Sequence, residues 1–369
     1  MSAYSKEACL AWLAGAGISN AEIRILLSVE PNPVRLYDEC VRFESDERDA
    51  RISVRVMKAL QKSTGPERFD ETIEKHHIQA MTEADDEYPE RLRGITDAPA
   101  ILFYQGRPEA IGERTVSVVG SRNASGKGME AASGISRELS KNGVNIISGL
   151  AYGIDAASHR GCLQGGSETV AVLGCGLDID YPAENSGLKK EILEKGGLVV
   201  SEYAPGVKPL GWHFPYRNRI ISGIGDCVAV IEARLKSGSM TTVQHALSQG
   251  KDVFVYPGDP GSIRSEGNHQ LLREGAIYFT GAQDLMEDMR WLDNTADMRQ
   301  NNERAGWNAA DFSSGEFRVL MALADEEKSF EELCFSLKMS AGELNAALSM
   351  LQIRGVVRAL PGKKYETVH

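Results

Sequence analysis

Apolar residues in Ala8–Ala16 and Ile18–Val29 recur every three or four positions, the period of an amphipathic helix, and Pro31 and Pro33 interrupt the pattern. Gly15-Ala16-Gly17-Ile18 predicts a turn between two helices, so residues 1–80 are expected to form a small helical module. Beyond residue 82 the pattern changes. Short apolar, β-rich runs predict strands at Thr115–Val119, Val144–Ser148, Thr169–Leu173, Leu198–Ser201, Cys227–Glu232 and Asp252–Tyr256, alternating with helices near 127–140, 153–164, 185–195, 215–223, 240–249 and 267–274. The strand runs are continuously apolar, as expected where helices cover both faces of a parallel sheet. Gly143, Gly196, Gly250 and Gly275 stand where helices should close.

Residues 291–312 are rich in Asn, Asp and Arg and read as a linker. The last segment, 313–369, carries three Ser-x-x-Glu pairs that predict capped helix starts, Ser313/Glu316, Ser329/Glu332 and Ser340/Glu343. The run Gly355–Tyr365 that follows reads as strand-turn-strand. Three helices and a hairpin make a winged helix. The expected fold is therefore α/β: a doubly wound, Rossmann-like parallel sheet over 82–290, an N-terminal helical, SAM-like module over 1–80 and a C-terminal winged-helix module.

Composition adds limits. With 369 residues, 42% of them hydrophobic and 25% charged, the chain reads as a globular protein of two or three domains. No apolar run approaches the roughly 18–20 residues that span a bilayer. The start, with Lys6 and Glu7 and no apolar core, does not read as an export signal. Six cysteines without a Cys-x-x-Cys pair predict neither a metal site nor a disulfide framework, and fit a cytoplasmic protein without metal or cofactor. A net charge of −11 argues against nucleic acid unless basic residues gather locally. Glu44–Asp49 deepens the acidity of the first module, for which packing or tethering is the better reading.

Four strand ends supply such a cluster. The first, Gly120-Ser121-Arg122-Asn123-Ala124-Ser125-Gly126-Lys127-Gly128, is a small-residue loop entering a helix, where free N–H groups and the helix dipole favour an anion. It lacks the Ser/Thr of a phosphate-binding P-loop and the second glycine of a dinucleotide fingerprint. Taken alone, a tight glycine turn accounts for it equally well. The second end brings Gly149, Tyr152 and Gly153, then Asp155, expected to cap the helix, His159, expected to be packed, and Arg160. At the third, Phe214, Arg217, Asn218 and Arg219 crowd a helix start near Pro215. Cations there oppose the dipole, and such a local conflict marks function. Trp212, His213 and Tyr216 interleave aromatics with these cations, the combination that stacks bases and tracks phosphates of a single strand. The fourth end carries Arg234, Lys236, Ser237, Gly238, Ser239 and Thr241, of which Ser239 or Thr241 is expected to cap a helix or hold phosphate.

In order, Val-Val-Gly-Ser-Arg, Ser-Gly-Leu-Ala-Tyr-Gly-Ile-Asp, Val-Leu-Gly-Cys-Gly-Leu-Asp-Ile-Asp-Tyr-Pro, Ser-Glu-Tyr, Phe-Pro-x-Arg-Asn-Arg-Ile-Ile-Ser-Gly and Glu-Ala-x-x-x-Ser-Gly-Ser-x-Thr-Thr resemble the DNA-processing protein A (DprA/Smf) family over about 82–285. The resemblance implies a dimer through the Rossmann-like domain that binds single-stranded DNA and loads RecA recombinase in natural transformation. It assigns Arg122 and the Phe214–Arg219 stretch to the DNA groove. Many members carry a Lys after Tyr-Pro where this chain has Ala183 and Glu184, which shifts the expected weight to Arg217, Arg219 and Lys208. Two other readings remain. Lysine-decarboxylase-like nucleotide-processing enzymes share the sheet type but carry a Glu where this chain has Gln244 or His245, so no catalytic residue is assigned. A small-nucleotide sensor would use the same anion loops.

Overall fold

The computed structural model describes residues 4–42, 54–291, 312–323, 327–337, 339–360 and 364–367. Every strand and helix expected between residues 115 and 274 forms, within two residues at each end. The described residues fall into two compact units, Met1–Met289 and Arg290–His369.

In the first unit, helices α1 (Lys6–Gly15), α2 (Asn20–Val29), α3 (Pro33–Arg42), α4 (Val54–Lys62) and α5 (Glu67–His76) precede strand β1 (Gln79–Thr82), helix α6 (Glu90–Arg93) and strand β2 (Ile101–Gly106). Pro33 opens α3, a position where its missing N–H costs nothing. The alternating part follows: β3 (Thr115–Val119), α7 (Gly126–Lys141), β4 (Asn145–Ser148), α8 (Ile154–Gly165), β5 (Thr169–Leu173), α9 (Ser186–Glu194), β6 (Leu198–Ser201), α10 (His213–Ile224), β7 (Cys227–Val230), α11 (Ser239–Ser248), β8 (Val253–Val255), α12 (Glu266–Arg273), β9 (Ile277–Tyr278) and α13 (Ala282–Asp288). Gly143, Gly196, Gly250 and Gly275 all take positive φ at the helix closures, as expected.

The nine strands form one sheet in the order β1-β2-β6-β5-β4-β3-β7-β8-β9. Strands β3 to β9 run parallel, while β2 joins β6 antiparallel and β1 pairs antiparallel with β2. The order reverses between β3 and β7, which are neighbours in the sheet although three strands and four helices separate them in sequence. That reversal leaves a crevice at the carboxyl ends of the two strands, the usual ligand position of an open α/β sheet.

Two cores sandwich the sheet. On one face Trp12, Leu36, Leu60 and Phe69 of the N-terminal helices share a cluster with Phe103, Leu173, Val199 and Ile192. The other gathers Leu92, Ile220, Ile224, Val228, Val243 and Val253. The N-terminal helices are thus packed on the sheet through a common core.

The second unit has α14 (Ser314–Ala322), β10 (Lys328–Ser329), α15 (Phe330–Leu337), α16 (Ala341–Ile353), β11 (Val357–Leu360) and β12 (Lys364–Thr367) around Val319, Leu333, Leu344 and Leu351. The three Ser/Glu pairs make the reciprocal bonds of capping boxes, and the short β10 pairs with β12 to complete a three-stranded wing. The expected linker, apart from Trp291 and Phe312, the acidic Glu44–Asp49 and Lys363 lie outside the described residues. No helix among the described residues is long and apolar enough to cross a membrane.

Candidate nucleic-acid interface

A cavity of about 580 Å³ opens at the switch point between β3 and β7. Its lining includes Gly120, Ser121 and Arg122 from the loop after β3, Phe214, Arg217 and Asn218 from α10, and Lys236, Ser237, Gly238 and Ser239 from the loop after β7. Arg234, Tyr181 and Thr242 join them. Four cations line the cavity, Arg122, Arg217, Arg234 and Lys236, against one carboxylate, Asp155. A second recess of about 50 Å³ uses Arg122, Gly149, Tyr152, Tyr181, Phe214 and Arg217. Residues from all four strand ends therefore meet here.

The cations do different work. Arg122 is exposed, its guanidinium 4.8 Å from the centre of the Phe214 ring, and Phe214 in turn meets Tyr181 at 5.3 Å. Stacked in this way, Arg122 keeps its charge facing solvent on a fixed platform. Arg234 and Lys236 are exposed on the opposite loop. Arg217 is buried. Its Nη1 donates to the carbonyls of Gly149 and Val172, and its Nε has no partner among the described residues. Burial pulls its pKa down to about 10, which leaves it charged at neutral pH, and Asp155 opposes the shift. Asp155 is buried too and accepts from the amides of Gly149 and Ala151. Burial raises the carboxyl, and Arg217 pulls it back. A Cβ at Gly149 would stand 2.6 Å from Arg217 Nη2 and 2.7 Å from Asp155 Oδ2, so only glycine lets the two groups close in on this loop.

Several expectations are corrected. Asp155 does not cap α8; it lies in the first turn and ties the loop before it, while Gly153 holds the cap position at φ +72°, where a Cβ would stand 2.3 Å from the Ser121 carbonyl oxygen. Arg217 and Arg219 do not crowd a helix start, because α10 begins at His213 and both lie beyond its first turn. Arg219 is not on the rim. Its side chain, 4% exposed, bonds Glu202 at 2.5 Å and lies over the Tyr216 ring at 3.9 Å. The loop after β3 is not an open anion cradle. Its amides at Ser121 and Ser125 donate to the Glu232 carbonyl and carboxylate, and Asn123 N–H donates to Ser121 Oγ. Ser125 caps α7 and donates to Glu232 Oε2 at 2.5 Å, so the protein's own carboxylate sits at that helix start. Neither Ser239 nor Thr241 caps α11; Thr241 donates to the Gly238 carbonyl and accepts from Asn218, and Ser239 Oγ lies 2.8 Å from Ser237 Oγ. Arg160 and Lys208 are exposed but contribute to neither cavity. His159 is packed as expected: Nδ1 lies 2.8 Å from Thr169 Oγ1, and burial lowers its pKa to about 3.

A model of the family described as DNA recombination-mediator protein A matches residues 79–290, more than half the chain. The chain belongs to the DNA processing protein A (DprA/Smf) family. A second model, described as the DprA winged helix domain, matches residues 304–363. The DNA processing protein DprA of Streptococcus pneumoniae is 44% identical over 207 residues, covering 56% of this chain and 73% of its own length. An X-ray structure of DNA processing protein A from the same organism superposes with a TM-score of 0.63 at 35% identity, over 77% of this chain and 98% of that one. A structure of DNA processing protein A from Helicobacter pylori, described for its single-stranded DNA binding mode, gives 0.52 at 30% identity over 58% and 97%.

Sequence reasoning missed the buried polar residues that shape the site. Glu232 was visible as the strand-terminal acid of Glu-Ala-x-x-x-Ser-Gly-Ser, and Glu202 as the acid of Ser-Glu-Tyr, but neither pattern states which cation or amide it meets. Tyr181 and Thr242 line the cavity unassigned. Among the described residues no group of three or more His, Cys, Asp or Glu side chains could hold a metal ion.

Proposed function

We propose that the chain binds single-stranded DNA in the switch-point cavity and delivers it to RecA recombinase. The observation that carries this reading is the pairing, in one crevice, of exposed cations (Arg122, Arg234, Lys236) with the Phe214–Tyr181 aromatic pair. Phosphates are attracted by the first and bases by the second, neither of which requires a sequence. Family membership and the single-stranded DNA binding mode described for the Helicobacter pylori relative support it. Ser121, Ser237 and Gly238 would contact phosphate from the two loops, with Gly120, Gly149 and Gly153 giving the backbone its close turns. A homodimer through the Rossmann-like unit belongs to the same reading, as does action without a cofactor and without catalysis.

The test uses the purified chain, single-stranded oligonucleotides, mononucleotides and RecA recombinase. Retention of long oligonucleotides but not mononucleotides, with faster RecA filament formation on strands first bound by the chain, is the expected result. Tight mononucleotide binding, or turnover of a nucleotide, would favour a sensor or an enzyme instead.

A further inference from the structure

Trp212 is 64% exposed, the most open of the large aromatic side chains beside the cavity. It precedes α10 and is flanked along the chain by Pro209, Gly211 and Phe214, all of which line the cavity. The indole packs against His213 at 4.1 Å with an interplanar angle of 80°, and His213 stacks on Tyr203 at 4.0 Å. His213 is itself buried, with Nδ1 3.1 Å from the Gly174 carbonyl, and burial lowers its pKa toward the neutral ring. The perpendicular packing on a buried ring holds the indole in place yet leaves most of it open to solvent. A second aromatic row, Arg122–Phe214–Tyr181, begins two residues further on.

We propose that Trp212 is a base-stacking platform that extends the single-strand track beyond the cavity by one nucleotide. The inference rests on the single-strand reading above and adds a subsite to it. A nucleobase fits the position better than a protein side chain, because the cavity that continues from it is lined with cations that hold phosphates and repel a basic partner. Lys208, four residues earlier in the chain, is exposed and outside the cavity. A tryptophan supplies a broad π-face at little cost in side-chain entropy, and stacking on it is indifferent to base identity.

The experiment titrates the full chain and its Trp212→Ala and Trp212→Phe variants against a labelled thymidine oligonucleotide and an abasic strand of equal length. Trp212→Ala is expected to weaken thymidine binding about tenfold, to leave abasic binding and the salt dependence unchanged, and to be largely rescued in Trp212→Phe. Equal losses on both strands would assign Trp212 to phosphate contact or to the shape of the loop, and no loss on either would remove it from the track; both overturn the proposal while the single-strand reading stands. Failure of the unaltered chain to bind either strand would refute that reading, and the platform with it.

Discussion

At the scale of single residues, charge and position separate side chains that look alike in sequence. Arg122 of the Gly-Ser-Arg loop and Arg217 and Arg219 of the Phe-Pro-x-Arg-Asn-Arg stretch read alike as groove cations; one is exposed over an aromatic ring, one is buried on carbonyls beside Asp155, and one is locked to Glu202. The sequence could mark them as unusual but not sort them, because their partners come from segments far away in the chain. Arg122 carries the sharpest consequence. Arg122→Glu replaces an exposed guanidinium, so stability should stay within about 0.5 kcal/mol. Opposing a phosphate with a carboxylate costs several kcal/mol, so single-strand affinity should fall on the order of a hundredfold. Anisotropy and thermal melting of the same variant check both halves. Unchanged affinity in a folded variant would mean that the loop after β3 only turns the chain.

At the scale of elements, α10 is the part that everything else positions. The Arg219 guanidinium is clasped by Glu202 at the end of β6 and by Asp97, and Tyr216 donates to Asp97 at 2.7 Å. From the N-terminal helices, the Asn20 side chain donates to Glu202 at 2.6 Å and accepts from the Ala100 amide at 3.2 Å. The N-terminal module therefore helps hold the helix that presents Phe214 and Arg217. Removing one partner from a buried pair leaves the other uncompensated, so Arg219→Ala should cost about 3–5 kcal/mol. Because Arg219 does not reach the cavity, whatever variant remains folded at low temperature should bind DNA with the salt slope of the unaltered chain. A shallower slope would put its charge back in the groove. Strands β3 to β8 and helices α7 to α12 were legible because continuous apolar runs alternated with capped amphipathic ones. The missed strands have physical reasons: β1 and β9 are four and two residues long, and the Ile-Leu-Phe-Tyr run of β2 has no period that distinguishes strand from buried helix.

At the scale of the molecule, a net charge of −11 coexists with a cationic crevice because the acids lie elsewhere or are engaged, Glu202 and Glu232 among them. Among its described residues, the winged-helix unit has a cavity lined by a single cation, Arg318, against Glu316 and Glu343. Its α16, the helix that in such modules enters a major groove, carries Glu343, Asn345 and Gln352, with Arg354 at its end placed 3.9 Å from Glu316. A 1–290 truncation should therefore keep single-strand affinity within a few-fold of the full chain, while the 305–369 segment alone should not bind. The reverse result would move the DNA site to the second unit. The account as a whole stands on a local cationic and aromatic crevice that prefers an unpaired strand, and fluorescence anisotropy of the full chain with single-stranded and duplex oligonucleotides across a salt series tests it most directly. It predicts tighter binding to the single strand, with log affinity falling against log salt at a slope of roughly −2 to −3, as three or four neutralised phosphates require. A flat salt response, or tighter binding to the duplex, would contradict it.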